Sequence, residues 1–151
     1  MSEFLRDLLV HKAWVARYMD RVASHLFKRA VVHDYSKFEA EEFEPYDKAF
    51  PQFQKYAYGT PELAAVYESI KPALAHHYQA NDHHPEHFEN GINDMNLIQL
   101  VEMVCDWMAA SKRSQTGMAQ GLHINKERFG ISDQLYEVIC NTVAYLDKEG
   151  S

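Results

Sequence analysis

The stretch that decides the fold class is NLIQLVEMVCDWMAASKR, residues 96–113. At about 100° per residue, its apolar side chains form one broad face of a helix. That face comprises Leu97, Ile98, Leu100, Val101, Val104, Cys105 and Met108. A narrow stripe beside it carries Glu102, Asp106, Ala109 and Arg113. The spacing predicts a long amphipathic helix from about Asn96 to Ser114. The stripe fits an ordinary solvated face, and it also leaves room for a ligand or metal beside Asp106.

The rest of the chain shows the same helical periodicity and no alternating strand pattern. A first helix is predicted from about Ser2, as N-cap, to Lys28. An acidic helix is expected over residues 39–50, ending before Pro51. Residues 62–78 are helical with a break or kink at Pro72. Residues 81–95 are predicted to be a loop, His123 is assigned to a Gly-rich connection, and a last helix is expected from about Ser132 to Lys148. We therefore predict an all-α fold.

Length and composition narrow the class of protein. The 151 residues suit one helical domain over 1–151, and no apolar run approaches the ~20 residues of a membrane span. The net charge of −7 argues against general nucleic-acid binding. Cys105 and Cys140 lie within apolar helical patterns, so we expect reduced thiols and a cytoplasmic protein. Aromatic residues between Phe50 and Tyr58 suit either a lid or a homo-oligomer interface.

Histidine is concentrated in one segment. Five of the nine histidines lie in HHYQANDHHPEHFENG, residues 76–91, as two HH pairs and His87. A metal site, a pH-sensitive surface and a polar loop all predict such a segment. Residues elsewhere in the sequence are needed to distinguish these three explanations of the segment.

The stretch RAVVHDYSKF, residues 29–38, contains a second pair of candidate metal ligands, His33 and Asp34. Adjacent residues on a helix point about 100° apart, so both reach one metal only at a helix end or from a turned backbone. Imidazole and carboxylate together suit Mn, Fe, Co, Ni or Zn.

The order His11, His33-Asp34, Asp106 resembles the H…HD…D signature of the HD-domain metal-dependent phosphohydrolase superfamily. The resemblance implies an all-helical HD-type bundle with these four residues as metal ligands. HDYSK resembles the HDxxK form of several subfamilies, in which the lysine contacts substrate phosphate, and it gives Lys37 that role.

Longer stretches extend the resemblance. HHPEHFENG is similar to the HHE…G segment of the HD-GYP branch, but the GYP tripeptide is absent and a proline interrupts HHE, so cyclic-dinucleotide specificity is not implied. Together HDYSKFEAEEF, NDHHPEHFENG and EMVCDWMAASKR resemble a family of HD-like proteins common in phages and bacteria.

The two histidine pairs supply candidate ligands for a second metal ion. We predict that one member of each pair, His77 and His84, binds a second metal, with Asp34 bridging. His76 and His83 are predicted either to support the metal ligands through hydrogen bonds or to contact the substrate. His87 is predicted to be a surface histidine.

Further polar residues are candidates for the chemistry. Glu86 is a candidate general base, with Glu102 or a metal-bound hydroxide as the alternatives, and Arg113 joins Lys37 in offsetting phosphate charge. Arg128 is a candidate substrate group, with Asn125 and Phe129 near a base or sugar. An ordinary helix-start connection explains the stretch around Arg128 equally well.

The function predicted from these residues is a phosphohydrolase that holds one or two divalent transition-metal ions. Its partner is a small phosphorylated substrate, a nucleotide or a related phosphate ester, attacked by metal-activated water. Three alternatives stay open: an HD-type di-iron oxygenase, a non-catalytic metal- or nucleotide-binding module, and a histidine-rich metal buffer.

Overall fold

A computed structural model describes residues 1–114 and 116–149, and within them the protein consists of helices and turns without a β-strand. The prediction of an all-α fold is confirmed. The α-helices are α1 (Glu3–Val32), α2 (Ala40–Lys55), α3 (Pro61–Ser69), α4 (Lys71–Ala80), α5 (Leu97–Ser111), α6 (Met118–Phe129) and α7 (Asp133–Glu149). Short 3-10 helices cover Tyr35–Phe38, Pro85–His87 and Gly91–Asp94. None of the helices described here has the length and apolar character of a membrane span.

The chain divides into two compact units. The first contains α1 and ends at His33, and the second begins at Asp34. In the first unit, Ser2 caps α1 as predicted, because its Oγ accepts a hydrogen bond from the Leu5 backbone N–H at 3.2 Å. The helix continues past the predicted end at Lys28 to Val32, since no glycine or proline interrupts it there.

Two helix boundaries were predicted from prolines, and the structure contains one of them. The prediction that the acidic helix ends before Pro51 is wrong, because α2 continues through Pro45 and Pro51 to Lys55. Packing of the α2 residues around Ala49 against α3 offsets the lost backbone hydrogen bonds. The predicted break at Pro72 is confirmed, since α3 ends at Ser69 and Pro72 lies in the first turn of α4.

Helix α6 was not predicted from the sequence. Gly117 and Gly121 lower the helix propensity of this stretch, which therefore resembles a connection. Leu122 is buried in an apolar core, and the buried Asn125 accepts a hydrogen bond from Tyr58 OH, so these contacts stabilise the helix. His123 is consequently an exposed helical residue, and Arg128 lies in the last turn of a helix rather than at a helix start.

Two apolar cores hold the second unit together. The first core joins α2, α3 and α4 and is built around Ala49, Leu63, Val66 and Ile70. The second core joins α5, α6 and α7 and is built around Ile92, Met103, Val104, Leu122, Ile131, Ile139 and Val143. The segment from α4 to α5 connects these cores, and it contains the two histidine pairs.

Replacing Asn96 by alanine is expected to lower the free energy of unfolding by about 1 kcal/mol. The Asn96 side chain accepts hydrogen bonds from the backbone N–H groups of Ile98 (2.9 Å) and Gln99 (3.2 Å), and Gln99 Oε1 accepts one from the Asn96 N–H. Urea denaturation measures the loss. Asn141→Ala, at an exposed position inside α7, is the control, and equal losses in the two variants would contradict the capping role.

Stability is expected to fall above about pH 10 because burial raises the pKa of Tyr67 to about 12. In this window the unfolded chain releases a phenol proton that the folded chain retains, so rising pH favours unfolding by about 1 kcal/mol per pH unit. Tyr67→Phe should flatten the pH dependence in urea denaturation at about pH 8 to 11. Tyr145→Phe, at a 62% exposed position, should not. Indistinguishable slopes for Tyr67→Phe and the wild type would refute this assignment.

Candidate metal centre

Four side chains of the second unit converge on one point. Asp34, His77, His83 and His84 each offer one donor atom, and these atoms lie within 4.8 Å of one another. Asp34 precedes the first 3-10 helix, His77 lies near the end of α4, and His83 and His84 lie in the following turn. We call these four residues the histidine cluster.

Asp34 enters the cluster from a turned backbone. Its φ of 58° and ψ of 22° are left-handed, a conformation that aspartate tolerates better than most residues. His33 is the C-cap of α1, so the HD pair lies at a helix end, one of the two arrangements in which adjacent residues can both reach one metal. Lys37 Nζ donates to Asp34 Oδ2 at 2.6 Å and also lies 5.5 Å from the centre of the Tyr46 ring. The other oxygen, Oδ1, faces the histidines.

His77 is held in one tautomer by Glu42. The two side chains are 2% and 0% exposed, and His77 Nδ1 lies 2.9 Å from Glu42 Oε2. A carboxylate only accepts, so Nδ1 carries the proton. Burial, followed by the charge of Lys37, lowers the pKa of His77 and favours the neutral ring. The lone pair is therefore on Nε2, which lies 3.5 Å from Asp34 Oδ1.

His83 has a matching arrangement on the opposite side. It is 2% exposed, and its Nδ1 lies 3.3 Å from Glu102 Oε1 on α5. Its Nε2 lies 3.5 Å from Asp34 Oδ1, the same oxygen that faces His77. Two histidines, each with a carboxylate behind it, thus point at one aspartate oxygen.

His84 completes the cluster. Its Nε2 lies 2.9 Å from His77 Nε2, and its ring centre is 4.1 Å from that of His83. Burial, with the neighbouring charges of His83 and His77, holds the pKa of His84 well below the usual histidine range. A neutral imidazole is the form that binds a metal.

The two histidine pairs contribute different numbers of residues to the histidine cluster. His76 Nδ1 donates to Glu42 Oε1 at 2.7 Å, and its Nε2 lies 3.7 Å from Glu39 Oε2. The hydrogen bond to Glu42 raises the pKa of His76, so this ring favours the charged form and faces acidic groups rather than the cluster. His77, the residue predicted to bind metal, is the cluster member of the first pair. Both members of the second pair, His83 and His84, belong to the cluster, and the predicted roles of all four histidines stay predictions.

The donor set fits a divalent transition metal. Three imidazole nitrogens and one carboxylate oxygen are the ligand types of Zn, Mn, Fe, Co and Ni sites. Bonds of about 2.1 Å place ligand atoms roughly 3 to 4 Å apart, close to the spacing seen here. Glu42 and Glu102 supply the carboxylates that commonly orient metal-binding histidines from behind.

The other predicted metal ligands, Asp106, His11 and His33, are not members of the histidine cluster. Asp106, one turn after Glu102 on α5, has a carboxylate oxygen within 4.8 Å of a His83 ring nitrogen. His11 lies within α1 and His33 at its end, both in the first unit, and their roles as ligands stay predictions.

Three residues predicted to act in catalysis or substrate binding, Glu86, Arg113 and Arg128, are not members of the histidine cluster. Glu86 Oε1 accepts a hydrogen bond from Arg128 Nη2 at 2.6 Å, so this predicted base is an ion-pair partner. Arg113 lies in an exposed turn, because α5 ends at Ser111 instead of reaching Ser114. Arg113 therefore does not extend the α5 stripe. His87 is an exposed residue, as predicted.

The role of Glu42 was not predicted from the sequence. It lies in the acidic run EAEEFE, in which Glu39, Glu41 and Glu44 are exposed and Glu42 is fully buried. Four carboxylates in six residues give no sign of which one turns inward. The signal that could have found it is a charge on the inner face of α2, seven residues before Ala49.

Comparisons with known proteins give one match. The family model described as "Family of unknown function (DUF5662)" matches residues 1–146. No curated protein and no solved structure matches the chain.

Proposed function

We propose that this chain, a member of the DUF5662 family, is a metal-dependent hydrolase of phosphate esters. The observation that carries the proposal is the convergence of His77 Nε2 and His83 Nε2 on Asp34 Oδ1, each at 3.5 Å. Both rings have a carboxylate beside Nδ1. Preorganised donors of this kind are typical of metal centres.

A bound divalent ion would supply Lewis-acid chemistry, polarising a phosphoryl oxygen and acidifying water at the site. The protein's own groups supply the rest. Asp34, His77, His83 and His84 hold the ion, and Glu42 and Glu102 keep two of the imidazoles oriented. Lys37, with a 39% exposed side chain beside Asp34, offsets negative charge on a phosphate.

The resemblance of His11, His33-Asp34 and Asp106 to the HD signature supports the same reaction class. On this proposal the resemblance adds His11, His33 and Asp106 to the ligands, and it leaves the number of ions at one or two. The two cysteines of the chain are free, which agrees with the proposed cytoplasmic location.

A turnover assay tests the proposal. Protein stripped of metal is reloaded separately with Mn, Co, Ni, Mg and Fe and assayed for phosphate release from nucleotides and simple phosphate monoesters. We expect metal-dependent release that His84→Ala abolishes. His123→Ala, an exposed histidine on α6, is the matched control and should leave the rate unchanged. Absence of turnover with every metal would overturn the proposal.

The alternatives give different results in the same experiment. A visible absorption band with iron and consumption of O₂ would indicate an oxygenase. Tight metal binding without turnover would indicate a binding module. Loosely held metal that is unaffected by Asp106→Asn would indicate a metal buffer.

A further inference from the structure

A second site lies next to the histidine cluster, in a cavity of about 540 Å³ bordered by α3, α4 and α6. Three tyrosines line it, Tyr58, Tyr67 and Tyr78, together with the apolar side chains of Leu63, Leu74 and Ile124. The volume is in the range of small-molecule sites, which are concave and mostly apolar with a few fixed polar groups.

The polar groups of this cavity are held in place by hydrogen bonds. Tyr58 OH donates to Asn125 Oδ1 at 2.7 Å and accepts from Arg128 Nη1 at 3.0 Å. The other terminal nitrogen of Arg128 donates to Glu86 at 2.6 Å. These contacts tie α6 to the segment between α4 and α5, so one wall of the cavity is preorganised.

Charge at the cavity is balanced. Lys71 Nζ lies 2.9 Å from Glu68 Oε1, and Arg128 is paired with Glu86. Because both cations have carboxylate partners, the cavity favours an uncharged ligand. Tyrosine rings stack on flat aromatic rings, and tyrosine hydroxyls bond polar atoms at the ring edge.

The cavity adjoins the histidine cluster through one side chain. Tyr78 lines the cavity, and its ring centre lies 5.1 Å from that of His84. A ligand with a flat ring on the cavity side of Tyr78 thus has the cluster as its neighbour.

We infer that this cavity binds a nucleobase, so that the substrate of the proposed reaction is a nucleotide whose uncharged ring lies among the three tyrosines. The inference rests on the proposed function for the position of the phosphate, but the ring site itself is independent of metal. Base-free sugar phosphates are then poor substrates.

Nucleoside binding tests the inference directly. Adenosine, guanosine, cytidine and uridine are titrated calorimetrically into full-length protein with a chelator present, so the result does not depend on turnover. At least one should bind. Ala64→Phe should weaken that binding about tenfold or more, because Ala64 lines the cavity yet is otherwise exposed on α3. Ala65→Phe, at the next exposed position of α3 and outside the cavity lining, should not.

The outcomes separate the two proposals. Binding of no nucleoside, or equal binding by Ala64→Phe and the wild type, overturns the nucleobase site even if phosphate esters are hydrolysed. If turnover occurs, ribose 5-phosphate should show a KM about tenfold or more above that of the preferred nucleotide. An equal KM would also contradict the inference.

Discussion

Replacing Glu42 by glutamine is expected to weaken binding of Co²⁺ or Mn²⁺ by about 10- to 100-fold. Glu42 accepts from His76 Nδ1 at 2.7 Å and His77 Nδ1 at 2.9 Å while fully buried. A glutamine has one accepting oxygen and one donating nitrogen, so it cannot satisfy both N–H groups. One ring must turn or change tautomer, and a tautomer change at His77 moves the proton onto the nitrogen that faces the cluster.

Isothermal titration of metal-free protein measures the affinity. Glu44→Gln is the matched control, since Glu44 lies on the same helix with a 69% exposed side chain. Far-UV circular dichroism and thermal unfolding in chelator separate loss of affinity from loss of fold. A folded Glu42→Gln protein with wild-type affinity would contradict the orienting role of Glu42.

Replacing Met103 by alanine should destabilise the protein by about 2 to 5 kcal/mol. Met103 is 1% exposed in the second apolar core, so its removal leaves a cavity that the surrounding helices fill only in part. A loss of this size is a large part of the stability of a typical domain. Because α5 also carries Glu102 and Asp106, metal affinity should fall in the same variant.

Urea denaturation gives the free energy of unfolding. Leu97→Ala is the control on the same helix, because Leu97 is 77% exposed and its truncation should change stability by less than about 0.5 kcal/mol. A Met103→Ala loss as small as that of the control would mean that the second core is not packed as described.

Sequence patterns predicted the helices that depend on local signals. Ser2, Pro72 and the capping residue Asn96 act through neighbouring backbone groups, and these helix ends were predicted within a few residues. The ends that were wrong depend on tertiary contacts. Pro51 is tolerated inside α2, and two glycines are tolerated around α6, because packing outweighs their local cost.

The candidate site also has features that local sequence predicts and features that depend on tertiary contacts. The HD pair and the two HH pairs indicate the ligand types, and the adjacency of His33 and Asp34 predicted a helix end or a turned backbone if both bind one metal. Sequence does not reveal that His83 is buried with His77 and that Glu42 stands behind His77, since these contacts bring together residues up to about 50 positions apart. Glu86 and Arg128, both predicted to act on the substrate, form an ion pair with each other that the sequence does not indicate, and their predicted roles stay predictions.

The metal content of the protein tests whether the histidine cluster binds a metal ion. Wild type and the double variant His77→Ala/His83→Ala are loaded with Co²⁺, freed of loosely held metal by gel filtration and analysed by inductively coupled plasma mass spectrometry. The wild type should retain at least one ion per chain and the double variant none. The control His87→Ala/His123→Ala, which removes two exposed histidines, should match the wild type. Equal metal content in wild type and His77→Ala/His83→Ala, or none in the wild type, would show that the histidine cluster is not a metal site.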